Sequence, residues 1–305
     1  QSFCLGSFEE KVESMRNTII KVAFPLAILF LAIVLYRTVQ RNEAGNSLPP
    51  RVFTSVDFVP EAIDTRPVST SNPKAIQILT LLKDLASQPK VLSGTNIGNA
   101  SFRLDETYQM SVVDLEKETG KFPAILSVDY LWEKPIGDFA AVNKILTEHV
   151  EKGGIVTVNM HPGSPFVGGL YNTGTGEFSF EDLFVQGTKP YETWRSVLSH
   201  VGDGLEELED DGVVVLFRPL HEMNGNWFWW SFGESKQIAI GEYTRLWVSV
   251  YDYLVNEREL RNLLWVYSPN SAHNKSDSRS VLELYPGGEY VDIVGLDYYE
   301  DTLFE

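Results

Sequence analysis

The chain has only one cysteine and far fewer basic than acidic residues. These two features exclude a disulfide-supported fold and disfavour anionic binding partners. Its 305 residues include one cysteine, Cys4, so no disulfide within the chain can support the fold. Lysine and arginine total 25 against 42 aspartates and glutamates, which gives a net charge of −17 at pH 7. Nucleic acid and anionic membrane surfaces would repel such a chain, whereas a neutral polysaccharide would not. We therefore expect no nucleic-acid partner.

Two common kinds of site motif are also missing from the sequence. No glycine-rich phosphate-binding fingerprint follows any predicted strand, which leaves a nucleotide site with little support. No closely spaced histidine pair of the His-Glu-x-x-His type occurs, which argues against metal catalysis. The sequence therefore predicts a site that works with neither a cofactor nor a metal ion.

A long apolar run lies near the N-terminus. Residues 22–36 are 15 consecutive uncharged residues, flanked by the basic residues Arg16, Lys21, Arg37 and Arg41. A membrane span needs about 20 residues, and the core of a signal peptide is shorter. No small-residue cleavage site follows closely, which favours an uncleaved membrane anchor, and a cleaved signal peptide remains the alternative. Either one predicts a protein that is secreted or anchored on the outside of the cell.

Three segments of different composition divide the chain. Residues 1–46 contain the apolar run and are expected to be a leader. Residues 47–73 are polar and interrupted by prolines, which is typical of a linker. In residues 74–305 short apolar runs alternate with longer helical patterns, and 43% of the whole chain is apolar, enough for a large core. This third segment is expected to be the globular domain.

The globular segment carries six predicted strands separated by helical stretches. The predicted strands are residues 90–93, 124–128, 155–160, 213–217, 263–267 and 291–296, and the main predicted helices are residues 75–86, 139–150, 191–208 and 243–255. Strands that alternate with helices pair in parallel through right-handed crossovers. This order fits either a doubly wound sheet or a (β/α)8 barrel.

The residues that follow the strands decide between these two folds. In chain order they are Gly94 with Thr95 and Asn96, Asp129 with Tyr130 and Trp132, His161, Arg218 with His221 and Glu222, Ser268 with Asn270, and Asp297 with Tyr298 and Tyr299. The C-terminal strand ends of a (β/α)8 barrel meet on one face, where its active sites lie. A doubly wound sheet would instead concentrate such residues at one switch point. The sequence therefore predicts an α/β fold of the (β/α)8 barrel type.

The fourth predicted strand is followed by a cluster of charged, imidazole and aromatic side chains. Arg218, His221 and Glu222 come first, and then an aromatic run that ends in Trp229 and Trp230. A carboxyl group beside a histidine and walled by indole rings can transfer protons and hold the apolar face of a sugar ring. The alternative is structural, with Glu222 in an ion pair with Arg218. Trp229 and Trp230 fit sugar stacking and packing between barrel and helix equally well.

Several motifs of the globular segment together point to one enzyme family. Residues 218–225 read Arg-Pro-Leu-His-Glu-Met-Asn-Gly and are followed by Trp-Phe-Trp-Trp at residues 227–230. Shorter motifs stand at residues 91–94, at 121–124 before Asp129 and Tyr130, at 153–157 before His161, at 265–270 and at 294–297. In these motifs the chain resembles glycoside hydrolase family 26, whose best-known members are endo-β-1,4-mannanases. The resemblance runs from about residue 74 to the end.

The resemblance implies roles for five residues. Glu222 matches the general acid/base of the family, and His221 matches a histidine that adjusts the nucleophile and the substrate. His161 and Trp227 match positions that contact the sugar just before the cleaved bond. Tyr299 matches a tyrosine that hydrogen-bonds the nucleophile.

The remaining strand-end residues are expected to support the site. Arg218 is expected to orient carboxylates, and Asp297 to bind substrate or support its binding. Trp132 is a weaker candidate for a more distant sugar subsite. Asp129 is expected to be structural rather than catalytic.

The chain departs from the family pattern at the nucleophile. Family members carry a second glutamate at the end of strand seven, and a retaining mechanism needs the two carboxyl groups about 5–5.5 Å apart. The chain stops at Glu305, nine residues beyond Leu296 in the last predicted strand. We therefore expect a fragment whose barrel is truncated after about six strands and which lacks the nucleophile.

The sequence thus predicts the catalytic domain of a retaining endo-β-1,4-mannanase that acts on mannan, glucomannan or galactomannan, in a fragment that is inactive alone. Within the family, a β-glucanase or a β-1,3-xylanase would use the same machinery on a different backbone. Outside this class, a non-catalytic carbohydrate-binding barrel remains, because an acid without a nucleophile can only bind.

Overall fold

The computed structural model describes residues 72–100, 103–135, 139–171, 174–231, 238–271 and 280–298. The predicted leader at 1–46, nearly all of the predicted linker at 47–73 and the predicted site residue Tyr299 lie outside these ranges. Within the ranges, no helix combines the length and the apolar character that crossing a membrane requires.

Helices and strands alternate along the described chain. They are α1 (Pro73–Ala86), β1 (Gly94–Asn99), α2 (Leu104–Tyr108), a π-helix (Gln109–Val113), α3 (Asp114–Thr119), β2 (Ile125–Pro135), α4 (Ala140–Glu151), β3 (Ile155–Pro162), a 3-10 helix (Phe180–Leu183), α5 (Lys189–Asp210), β4 (Val215–Arg218), α6 (Ile240–Tyr251), a second π-helix (Asp252–Glu257), β5 (Leu263–Tyr267), α7 (Ser280–Glu283) and β6 (Ile293–Val294). The six strands form one sheet in the order β1-β2-β3-β4-β5-β6, and every pair is parallel. This sequential order is that of a (β/α)8 barrel wall, whereas a doubly wound sheet reverses its order at a switch point.

The first strand does not lie where the apolar pattern predicts it. The prediction at residues 90–93 is wrong, because β1 begins at Gly94 and contains Thr95 and Asn96, which were expected to follow it. Val91, the apolar residue that suggested a strand, is 93% exposed. β1 is held by backbone pairing with β2 rather than by apolar burial, and Ile97 is its only buried residue. An alternation of apolar residues cannot reveal such a strand.

The alternation of side chains along each strand separates two apolar clusters. In β4, Val215 and Phe217 belong to a large cluster that includes buried residues of α4, α5 and α6. Leu216 belongs to a smaller cluster with Val214, with Ile155 of β3, with two residues of β5 and with Ala75 of α1. The smaller cluster is therefore the inner face of the sheet, with α1 packed against it.

The inner face changes from apolar to polar toward the C-terminal ends of the strands. Because successive residues alternate between faces, Ile155 shares its face with Asn159 and His161 of β3, and Leu216 shares its face with Arg218 of β4. The period of two thus places polar side chains from several strands on one inner surface. This surface is the C-terminal end of the sheet, where active sites of such barrels lie.

Candidate active site

Hydrogen bonds join polar side chains of β1 to β4 and of the residues that follow β5 and β6 into one layer. Asn96 and Asn159 donate to Ser127 Oγ at 3.2 and 2.9 Å, Arg218 donates to Asn159 Oδ1 at 2.9 Å and to Asp297, and Ser268 Oγ donates to Asp297 Oδ1 at 2.9 Å. We call these six residues the polar layer. Such mutual bonding satisfies groups that would be costly to bury alone.

Arg218 and Asp297 form the charged part of the polar layer. Their side chains are mostly buried and make an ion pair. Arg218, which the structural interpretation of Glu222 would pair with that glutamate, is thus paired with Asp297. Burial raises the pKa of Asp297, and the negative charge of Glu222 raises it further, whereas Arg218 and Ser268 lower it. Glu222 and Asp297 are therefore close enough for their charges to interact.

Glu222 lies in a strained backbone segment after β4. Leu220 has φ of 48° and Glu222 has φ of 53°, in the left-handed region that residues with a side chain rarely adopt. Each such residue costs about 1–3 kcal/mol, and strain of this kind persists only where surrounding contacts enforce it. The segment therefore owes its conformation to its tertiary contacts.

Buried donors hold the carbonyl groups of this segment. Tyr243 of α6 donates its hydroxyl to Leu220 O at 3.1 Å, and Trp230 Nε1 donates to His221 O at 2.9 Å. The backbone N–H of Glu222 donates to Ser268 O at 2.8 Å, which ties the segment to the residue after β5. These bonds set the direction in which the Glu222 side chain leaves the backbone.

A second tie joins the loops after β4 and β5. The Asn224 amide donates to Asn270 O at 2.9 Å and accepts from Asn270 N at 2.8 Å. Both residues are buried. The pair of bonds resembles one step of a β-ladder and fixes the spacing between the two strand ends.

The Glu222 carboxyl group meets an indole N–H. Trp227 Nε1 donates to Glu222 Oε2 at 2.9 Å, and Glu222 is buried while Trp227 is partly exposed. Trp229 and Trp230 are buried, and Trp229 Nε1 donates to Pro162 O at 2.9 Å. For these two tryptophans the structure decides the open question in favour of core packing.

His161 of β3 is held by an aspartate from the neighbouring strand. Its Nδ1 lies 2.8 Å from Asp129 Oδ1, and both side chains are buried. Since a carboxylate only accepts, Nδ1 carries the proton, and the orientation of the imidazole ring is fixed. Asp129, which the sequence predicted to be structural, thus holds His161, a predicted site residue.

His221 lies between the strand ends and the aromatic residues. Its ring meets the rings of His161, Phe228 and Trp230 at centroid distances of 4.4, 5.5 and 6.2 Å. Burial lowers the pKa of His221 well below its usual value, and Arg218 and His161 lower it further. Among the described residues, Nδ1 of His221 has no hydrogen-bond partner. The imidazole is therefore neutral at neutral pH.

The structure brings together six of the seven predicted site residues, and Tyr299 lies outside the described ranges. Sequence reasoning missed Ser127 and Asn159, which were placed inside predicted strands. Each lies two residues after an inner-facing residue of its strand, and this period of two could have identified both. In the described ranges, no group of histidine, cysteine, aspartate and glutamate side chains could hold a metal ion.

Comparisons with known proteins agree with this geometry. The glycosyl hydrolase family 26 profile matches residues 68–304. The chain is 35% identical over 295 residues, 92% of its length, to mannan endo-1,4-beta-mannosidase A and B of Caldalkalibacillus mannanilyticus, and covers 52% of that protein. It is 37% identical over 259 residues, 79% of its length, to mannan endo-1,4-beta-mannosidase of Bacillus subtilis strain 168, and covers 69% of it.

A solved structure shares the fold. The structure of a Bacillus subtilis mannanase superimposes with a TM-score of 0.64 at 33% identity, and the match covers 73% of this chain and 68% of that one. The chain spans about half the length of the first of the two relatives above. The family match over most of the chain, together with these similarities, shows that the chain belongs to glycosyl hydrolase family 26.

Proposed function

We propose that the protein containing this chain is a retaining endo-β-1,4-mannanase in which Glu222 is the general acid/base. The observation that carries this proposal is the buried Glu222 carboxyl group, bonded to Trp227 and projecting from a strained segment at the C-terminal end of β4. The two relatives are mannan endo-1,4-beta-mannosidases, which supports mannan as the substrate.

In the proposed reaction, Glu222 donates its proton to the glycosidic oxygen while a second carboxylate attacks the anomeric carbon. Glu222, now ionised, then takes a proton from the water that releases the glycosyl-enzyme intermediate. Asp129 and Asp297 are held by His161 and Arg218, respectively, so neither is proposed as the nucleophile. We place the nucleophile among residues outside the described ranges.

The neighbouring residues would position the sugar and the acid together. Trp227 is partly exposed, so its ring can pack on the apolar face of the sugar beside the cleaved bond. The same indole holds Glu222 through its N–H, which couples the position of the sugar to that of the proton donor. His161 and His221 would line the site, and Arg218 would orient Asp297.

We also propose that the protein acts outside the cell, either secreted or held by a membrane anchor. The support is the apolar run at residues 22–36 between basic residues, together with a polymeric substrate. Separating culture medium, membranes and cytosol and probing each fraction for the protein tests this proposal. Recovery from the cytosol alone would contradict it.

The experiment is hydrolysis by the whole protein of β-1,4-mannan, mixed-linkage β-glucan and β-1,3-xylan, measured as reducing ends. Glu222→Gln keeps the shape of the side chain but removes the acid, and we expect turnover on mannan to fall about 10²- to 10⁴-fold. The matched control is Glu118→Gln on the exposed end of α3, which should retain the parent's activity. Preferred cleavage of glucan or xylan by the parent would replace mannan as the substrate, and binding without cleavage would indicate a carbohydrate-binding protein.

An activated substrate distinguishes an acid from a nucleophile. A dinitrophenyl leaving group departs without a proton, so Glu222→Ala should still be glycosylated rapidly by a dinitrophenyl β-mannoside of suitable length. Added azide should then speed the second step, because it needs no general base. Loss of the first step with this substrate would remove Glu222 from the acid role.

A further inference from the structure

The peptide plane between Leu220 and His221 depends on a hydroxyl group from a distant helix. Its carbonyl group accepts from the hydroxyl of Tyr243, in the first turn of α6, at 3.1 Å. In the part of the chain that the structure describes, this is the only hydrogen bond of the plane. The next plane, between His221 and Glu222, has a bond at each end, from Trp230 and to the residue after β5. One hydroxyl group therefore fixes the first of the two planes that lead to Glu222.

This plane lies inside the strained part of the backbone. Leu220 before it has φ of 48°, and Glu222 after it has φ of 53°. Such conformations persist only where the surroundings enforce them. Releasing the carbonyl group would let Leu220 relax toward an ordinary negative φ. The rotation would then pass along the chain to the Glu222 side chain, two residues further on.

The bond from Tyr243 is one that water cannot replace. Leu220 and Tyr243 are both fully buried. Burial raises the pKa of Tyr243 well above its usual value, and Tyr267 raises it further, so the hydroxyl group keeps its proton and donates. The start of α6 is itself held, because Glu242 Oε2 accepts from Ala239 N at 2.6 Å and Tyr243 N donates to Ala239 O at 3.1 Å. The position of Tyr243 is therefore set by the helix that carries it.

We propose that Tyr243 is a positioning residue for proton transfer, which acts through the carbonyl group of Leu220 on the direction of the Glu222 side chain. This inference rests on the proposed function and adds a residue of α6 that contacts neither the sugar nor the reacting atoms. Because Tyr243 acts through Glu222, its hydroxyl group matters only where the leaving oxygen needs a proton. A tyrosine that served only to pack α6 against β4 would affect every substrate alike.

The test is Tyr243→Phe in the whole protein, which keeps the ring and removes the hydroxyl group. We expect kcat/KM on mannan to fall about 5- to 50-fold and kcat/KM on a dinitrophenyl β-mannoside to change less than about threefold, because only the first needs a well-placed acid. The matched control is Tyr267→Phe. Tyr267 is also buried and donates its hydroxyl group to a backbone carbonyl, that of Val281, at 2.6 Å. The control should keep the parent's kcat/KM on both substrates.

A second measurement shows whether Tyr243 acts through Glu222. In protein that already carries Glu222→Gln, adding Tyr243→Phe should change the residual turnover of mannan less than about twofold, because the acid that Tyr243 positions is already absent. An added loss as large as that in the parent background would overturn the proposal. The dinitrophenyl substrate also reports whether the variant is folded, so equal losses on the two substrates would overturn it as well.

The single substitution Glu222→Gln separates this proposal from the proposed function. If Glu222→Gln leaves turnover of mannan unchanged, Glu222 is not the acid and both proposals fail. If Glu222→Gln lowers turnover and Tyr243→Phe does not, only the positioning role fails. If the parent cleaves glucan or xylan instead of mannan, the substrate of the proposed function is wrong, and Tyr243 is judged on the polysaccharide that is cleaved and its dinitrophenyl glycoside.

Discussion

Replacing Trp227 by phenylalanine would remove one hydrogen bond and keep an aromatic ring beside Glu222. Trp227 Nε1 donates to Glu222 Oε2 at 2.9 Å, and Glu222 is buried. In the proposed reaction Glu222 gives up its proton in the transition state, so negative charge grows on the oxygen that this N–H contacts. A hydrogen bond to a charged group contributes about 1.5–3 kcal/mol. Its loss should lower kcat/KM on mannan about 10- to 150-fold.

The assay compares two substrates whose leaving groups differ in their need for a proton. On mannan the leaving oxygen must be protonated, so the full loss should appear. On a dinitrophenyl β-mannoside no proton is transferred during glycosylation, so kcat/KM should change less than about threefold. The matched control is Trp194→Phe in α5, because among the described residues Trp194 Nε1 has no hydrogen-bond partner.

Equal losses on both substrates would refute this reasoning. They would mean that Trp227 acts through sugar binding alone and that its bond to Glu222 has no part in proton transfer. A loss below threefold on mannan would also mean that the hydrogen bond between Trp227 and Glu222 has no part in proton transfer.

Two further predictions concern stability. Asn224→Ala removes both bonds to the buried backbone of Asn270 and leaves its N–H unsatisfied, so the free energy of unfolding in urea should fall by about 2–5 kcal/mol, and a fall below about 1 kcal/mol would contradict the tie. The lowered pKa of His221 means that below about pH 6.5 the unfolded chain binds a proton that the folded chain does not. Stability should therefore fall with pH below 6.5, by up to about 1.4 kcal/mol per pH unit from this residue, until the pH reaches its folded pKa. Urea unfolding between pH 5 and pH 8 should show a flatter profile for His221→Gln, and parallel profiles would exclude His221 as a source of the slope.

The sequence determined the class of fold and most of the elements. β5 occupies the predicted residues 263–267, and α4, at Ala140–Glu151, differs by one residue at each end from the prediction. These elements bury regular apolar patterns, so local periodicity is sufficient to find them. The cluster of residues after β4 could likewise be found, because its chemistry is continuous in the sequence.

Only the tertiary structure decided how these residues meet. β1 has no apolar alternation and exists through its pairing with β2. In β2 the three residue steps from Asp129 to Trp132 match two steps of β3, and this bulge in the pairing of the two strands brings both side chains to His161. The left-handed backbone at Leu220 and Glu222 contradicts local preference and is held by bonds from distant residues. Sequence patterns report the surroundings of each segment, whereas register and strained backbone depend on hydrogen bonds between segments far apart in the chain.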